Sequence, residues 1–119
     1  MLNIVDTLRR SRAVARVEVV DFVDEASVKY LKCRADLIDG SKLHIIESSF
    51  AGNSKYSYHW QDSNNQLIVR WDNAPHYPHL STFPHHRHEH NQTINSPRVA
   101  IDEVLAEIEA RLNREGMLP

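Results

Sequence analysis

Leu31-Lys32-Cys33-Arg34-Ala35-Asp36-Leu37-Ile38-Asp39-Gly40-Ser41-Lys42-Leu43-His44-Ile45 decides the fold of this chain. Leu31, Cys33, Ala35 and Leu37 alternate with charged residues, the period of a strand with one wet face. Asp39-Gly40 then marks a turn. A strict two-residue loop would set Leu37 beside Lys42 and mix the faces. A three-residue loop with Gly40 in the left-handed region instead pairs Ala35 with Leu43 and Cys33 with Ile45, and this bulged hairpin is the expected one. Its inward row runs on from Ile45 to Glu47, opposite Leu31. Desolvation there would raise the carboxyl pKa and make Glu47 a proton-transfer candidate. A strand that has already left the core, or an arginine partner, carries equal weight as an explanation.

Outward from this hairpin, Met1, Ile4, Val5 and Leu8 repeat at helical spacing and predict a short helix to about Arg10. Val14 to Val23 reads as a β-branched strand partly buried on both faces. Beyond Gly52-Asn53, Lys55 to Asp62 and Gln66 to Asp72 form a second hairpin. Asp62 and Asn65 suit a three-residue loop, which places Tyr58 opposite Arg70 and Tyr56 opposite Asp72. A two-residue loop would oppose His59 and Arg70 instead. Either register leaves Arg70 and Asp72 on one face, because side chains alternate with period two. Tyr56, Tyr58 and Trp60 share a face that reads as sheet packed under a helix, in preference to a base-stacking platform. Ser96-Pro97 is the expected helix start. Ile101, Val104, Leu105, Ile108 and Leu112 form its apolar stripe, and Gly116 its stop. The sum is an α+β fold in a single domain over residues 1–119. An antiparallel meander of about five strands carries a short N-terminal helix and a long C-terminal helix packed on one face.

Composition narrows the function. With 41% apolar and 25% charged residues, the chain has ordinary globular usage, so global disorder is set aside. A lone cysteine, Cys33, excludes an intrachain disulfide and a cysteine-based zinc knuckle, and reads as a small buried hydrophobe. No apolar run is long enough for a membrane span or a secretory signal, so a cytoplasmic setting without membrane contact is expected. Arg9, Arg10, Arg12 and Arg16 make one basic cluster, and the histidine-rich stretch gains charge as it protonates. Neither is the broad stripe of a duplex-DNA binder, though each could hold a few phosphates.

Six of the eight histidines fall between His76 and His90, in a proline-interrupted segment read as a functional loop and not as helix or core strand. Imidazole gives and takes protons near neutrality. Arg70 and Asp72 end the preceding strand, and Pro75 stiffens the exit and aims His76. An arginine, an acid and several imidazoles could cleave a phosphodiester without a metal. One histidine would take the ribose 2′-hydroxyl proton, another would protonate the leaving oxygen, and the guanidinium would stabilise the transition state. A solvated Arg70–Asp72 surface pair is the bland alternative, with slightly less weight. His76-x2-His79 and His86-x-His88, with Asp72 or Glu47, could also ligate zinc, but mixed loop spacing is a weak pattern. Incidental metal binding is favoured over a catalytic metal.

Three blocks, Tyr56-x-Tyr58-x-Trp60-Gln61-Asp62, Leu67-Ile68-x-Arg70-Trp71-Asp72-Asn73-Ala74-Pro75-His76 and Thr82-Phe83-Pro84-His85-His86-Arg87-His88, resemble the TumE-like family of toxins from toxin–antitoxin pairs. The likeness runs from Glu47 onward; the first half matches only in strand character and length. The resemblance implies growth inhibition by RNA cleavage, with a DNA-binding antitoxin as partner. It carries over to Arg70, Asp72, His76, His85, His86 and His88, and more weakly to Glu47, Tyr56 and Tyr58. Asn65 stands where relatives carry glycine, a departure confined to the turn. The expectation is a metal-independent endoribonuclease with an RNA substrate and no cofactor, able to pair as a homodimer through exposed sheet edges. A non-catalytic protein-binding module and a metal-dependent hydrolase are the competing readings.

Overall fold

The computed structural model describes residues 2–119. Helix α1 (Leu2–Arg10) precedes seven strands: β1 (Val14–Asp24), β2 (Val28–Leu37), β3 (Lys42–Phe50), β4 (Asn53–Gln61), β5 (Leu67–Asp72), β6 (His86–Glu89) and β7 (Gln92–Asn95). Helix α2 (Ile101–Arg114) follows. The strands lie side by side in chain order in one antiparallel sheet.

The first hairpin has the register its turn dictates. Gly40 sits at φ +87, Ala35 pairs with Leu43, Cys33 with Ile45, and Leu31 with Glu47. This puts Leu31, Cys33, Ala35, Leu43 and Ile45 on one face, which Val69 and Trp71 extend and α2 covers with Ile101, Val104, Leu105, Ile108 and Leu112. Ile4, Val5 and Leu8 bury the inner side of α1; Met1, counted in that stripe, lies outside the described residues. Burial pushes the Cys33 thiol up to about 11, so it stays an inert, protonated hydrophobe. Four charges clamp α2 to the sheet. Arg87 donates to Glu107 at 3.0 and 2.9 Å, and Arg111 donates to Glu89 at 2.7 Å and Glu107 at 3.0 Å. The two guanidinium groups lie over Trp71 and Trp60, 5.3 and 5.5 Å from the ring centres.

Three expectations are corrected in detail. The sheet has seven strands where about five were expected, because His86–Glu89 and Gln92–Asn95 form a further hairpin. His90 and Asn91, both with positive φ, make its two-residue turn. This hairpin lacks apolar alternation, since imidazoles occupy one face of β6 and an Arg/Glu pair the other. β1 is an edge strand and largely exposed, with Val19 at 44% and Val20 at 53%, so it is not buried on both faces. Finally, α2 begins at Ile101 and not at Ser96-Pro97. The buried Ser96 donates its N–H to the Thr82 hydroxyl oxygen and its own hydroxyl to the Pro97 carbonyl, so it cannot cap. Glu103 instead accepts from the Ala100 N–H at 3.0 Å. Gly116, at φ +72, ends the helix as expected.

Candidate active site

One extra residue in β5 decides where the site lies. The turn before β5 is the three-residue loop expected: Asp62 N–H donates to the Gln66 carbonyl at 2.8 Å, and Asn65 is left-handed at φ +63. Continued unbroken, that register would set Tyr58 opposite Arg70 and Tyr56 opposite Asp72. The ladder slips instead between Gln61↔Leu67 and Trp60↔Val69, leaving Ile68 as a bulge. The observed partners are His59↔Arg70 and Ser57↔Asp72, with Trp71 opposite Tyr58. Burial explains the slip, because the unbroken register would push two charged side chains under α2 and turn Val69 and Trp71 outward. The bulge therefore aims Arg70 and Asp72 at the face that α2 leaves open.

On that face β6 brings His88 opposite Arg70 and His86 opposite Asp72. Asp72 and His86 are buried, 5% and 2% exposed. One Asp72 oxygen, Oδ1, accepts the Ala74 N–H at 3.0 Å and faces His86 Nε2 at 3.0 Å. The other, Oδ2, accepts from Arg70 Nε at 3.0 Å and lies 3.6 Å from His88 Nε2. His86 Nδ1 is 2.9 Å from the Pro84 carbonyl. With a carbonyl at one nitrogen and a carboxylate at the other, the His86 ring satisfies both acceptors only when both nitrogens carry protons. His88 has its Nδ1 3.0 Å from the Thr93 hydroxyl. Burial holds the His88 pKa below its ordinary value; the charges of His86 and Arg70 add to this, and Asp72 opposes it. Tyr77, in the connection from β5 to β6, packs edge-on over both rings, 4.8 Å from His86 and 5.7 Å from His88.

His76 lies at the rim, lining a cleft with Arg70, Asp72, Ile46 and Ser57. Two histidines outside the loop complete the face. His59 Nδ1 is 3.3 Å from Arg70 Nη1, and the His44 ring lies 6.2 Å from that of His59. Burial, then neighbouring cations, lower both pKa values. Sequence reasoning did not single out His44, His59 or Tyr77. His59 had a signal, since it alternates with Tyr58 and Trp60 and so points away from α2.

The remaining expected residues lie on the other side of the sheet. Glu47 accepts a hydrogen bond from the Tyr58 hydroxyl, so a tyrosine, not an arginine, satisfies it. Burial and that carboxylate push the Tyr58 pKa up. His85 Nδ1 lies 2.9 Å from the Tyr56 hydroxyl. The loop histidines therefore divide: His86 and His88 join Arg70 and Asp72, while His85 is linked through Tyr56 to Tyr58 and Glu47, beside the Arg98–Ala100 segment that leads into α2. For metal ligation, Asp72, His86 and His88 each offer a ligand atom within 4.8 Å of the others. Arg70, bonded to the same carboxylate, competes electrostatically with a cation there.

A family model described as Toxin TumE matches residues 4–112. The match includes the first half of the chain, where motifs alone had shown little. No curated protein and no solved structure matches. Among the described residues, no helix is long and apolar enough to cross a membrane. Since the family match takes in nearly the whole chain, this protein belongs to the TumE toxin family, whose place in toxin–antitoxin systems implies a cognate antitoxin partner.

Proposed function

We propose that the toxin acts as a metal-independent endoribonuclease, with Arg70, His88 and His76 as its reacting groups. The observation that carries this reading is Arg70 and His88, facing each other across β5 and β6 above the buried Asp72–His86 pair. Neutral His88 takes the proton of the ribose 2′-hydroxyl. The 2′-oxygen then bonds to phosphorus as the bond from phosphorus to the 5′-oxygen breaks, and protonated His76 delivers a proton to that leaving oxygen. Arg70, about a third open to solvent, is placed to stabilise the charge that builds on the phosphoryl oxygens. Asp72 and His86 are too enclosed to meet the substrate and act as positioning residues, holding Arg70 and His88 in place. The test is RNA cleavage in excess chelator by the native chain and by Arg70→Ala, His88→Gln and His76→Gln. Activity in the native chain that each substitution reduces is the expected result, and equal cleavage by all four would remove the assigned roles.

The clustering of Asp72, His86 and His88 favours one second reading, a metal-dependent hydrolase. Loss of activity in chelator and its return with zinc would select it. The toxin reading also brings a DNA-binding antitoxin as partner and a cytoplasmic site of action. The exposed β1 edge, with Val19, Val20 and Phe22 outward, supports pairing of two copies.

A further inference from the structure

A cleft opens beside Arg70 because β5 leaves the ladder at Asp72 while β4 extends back to Asn53. Past that point the β4 edge is met by a side chain in place of a strand. Asn73 Oδ1 accepts the Tyr56 N–H at 3.0 Å, and its Nδ2 donates to the Ser54 carbonyl at 2.9 Å. The edge is satisfied, and the space a continuing strand would fill remains as a cavity of about 370 Å³. That is large enough for a small-molecule site, whose range begins near 300 Å³. Ile46 and Pro75 give the cavity apolar surface, Ser48 and Ser57 give hydroxyls, and Lys55 gives a second cation besides Arg70. Asp72 is the lining's one carboxylate, and its oxygens already hold Arg70, His86 and the Ala74 N–H.

We propose that this cleft is the nucleoside subsite of the toxin, binding the ribonucleoside attached to the scissile phosphate. The base lies against Ile46 and Pro75. Ser48 and Ser57, which can donate or accept, read its polar edge. Lys55 takes the next phosphate along the strand. The assignment rests on the reading of Arg70 as the phosphate ligand, and it adds a source of base preference which that reading lacks. An apolar slot with adaptable hydroxyls between two cations suits a base flanked by two phosphates, and it gives an acidic peptide no surface to match its aliphatic walls.

Calorimetric titration of the full chain with the four nucleoside 3′-monophosphates and with inorganic phosphate tests this directly. At least one nucleotide is expected to bind about tenfold or more tightly than phosphate. Ser57→Val changes the ranking among the four bases and leaves phosphate affinity unchanged, and Ser48→Ala provides a second, milder variant. Lys55→Ala weakens a tetranucleotide RNA but not a mononucleotide. Nucleotides that bind no more tightly than phosphate overturn the subsite, as does an unaltered ranking in both serine variants. Cleavage is scored separately: RNA cut by a chain that ignores mononucleotides removes the subsite alone, whereas mononucleotide binding with no RNA cut keeps the subsite and removes the ribonuclease.

Discussion

Asp72→Ala removes the hub of the open face, and the structure gives the size of the effect. His86, at 2% exposure, loses the carboxylate at its Nε2 and is left with a buried donor and nothing to receive it. A charge-assisted bond of this kind contributes about 1.5–3 kcal/mol, and the orphaned ring makes the upper end apply. The Ala74 N–H loses its acceptor, for about 1 kcal/mol more. Arg70 is 38% exposed and can turn to water, so its share is about 0–1 kcal/mol. The total is about 3–5 kcal/mol, equivalent to a Tm lower by roughly 10–20 °C for a domain of this length. Asp72→Asn keeps the shape and an acceptor for Ala74, and should cost only about 1–2 kcal/mol. Urea unfolding of Asp72→Ala, His86→Ala and the double variant supplies the assay, with a coupling of about 1–3 kcal/mol between the two sites expected. A loss under about 1 kcal/mol in Asp72→Ala, or additive single effects, would refute the claim that a buried, mutually satisfied pair underlies the site.

Arg70→Ala should lower RNA cleavage about 10²–10³-fold at little cost in stability, and Arg70→Lys should recover only part of it; unchanged cleavage removes Arg70 from the chemistry. His44, His59, His85 and His88 are all held below their ordinary pKa, chiefly by burial. As pH falls the unfolded chain binds these protons first, so stability is complete above about pH 7 and is lost as pH drops through about 6.5 toward the lowered folded values. Thermal melts across that window check the sign, and a Tm that rises on acidification contradicts it. Deleting Ile68 closes the bulge and runs the Gln61↔Leu67 pair straight into Trp60↔Val69 and His59↔Arg70, so the deletion variant should fold with Arg70 and Asp72 still on the open face; insoluble or unfolded protein by circular dichroism would show that these faces are not set by the pairing alone. Trp71→Ala should cost about 3–5 kcal/mol in the same urea assay, since the ring is 2% exposed and supports Arg87.

What the sequence revealed, and what it hid, follows from where apolar side chains mark the period. In the first hairpin the alternation of Leu31, Cys33 and Ala35 and the left-handed need at Gly40 left one consistent register, and it reached as far as Glu47. At the second hairpin the turn was legible from Asp62 and Asn65, but the bulge was not. Leu67-Ile68-Val69 is an uninterrupted apolar run, so no alternation shows which member is extra. That single slip changed the partners of Arg70 from Tyr58 to His59. β6 was hidden for the opposite reason, since its buried position is filled by an imidazole and its chain looks like a polar loop. Chemistry alone picked out Arg70, Asp72, His86 and His88, yet could not say that His85, one residue earlier, would face the other way. Alternation decides it once β6 is known to be a strand.

Every strand in this sheet joins only the one before it, so the sheet can zip forward from its first turn while later residues are still being added. Arg70 and Asp72 leave the ribosome well before the imidazoles that complete their surroundings. α2, which closes the apolar side, follows all seven strands. A nascent chain therefore carries half a site until β6 has followed and an open, greasy sheet until α2 has, and the arrangement that this fold is built to hold comes into being only when both are in place.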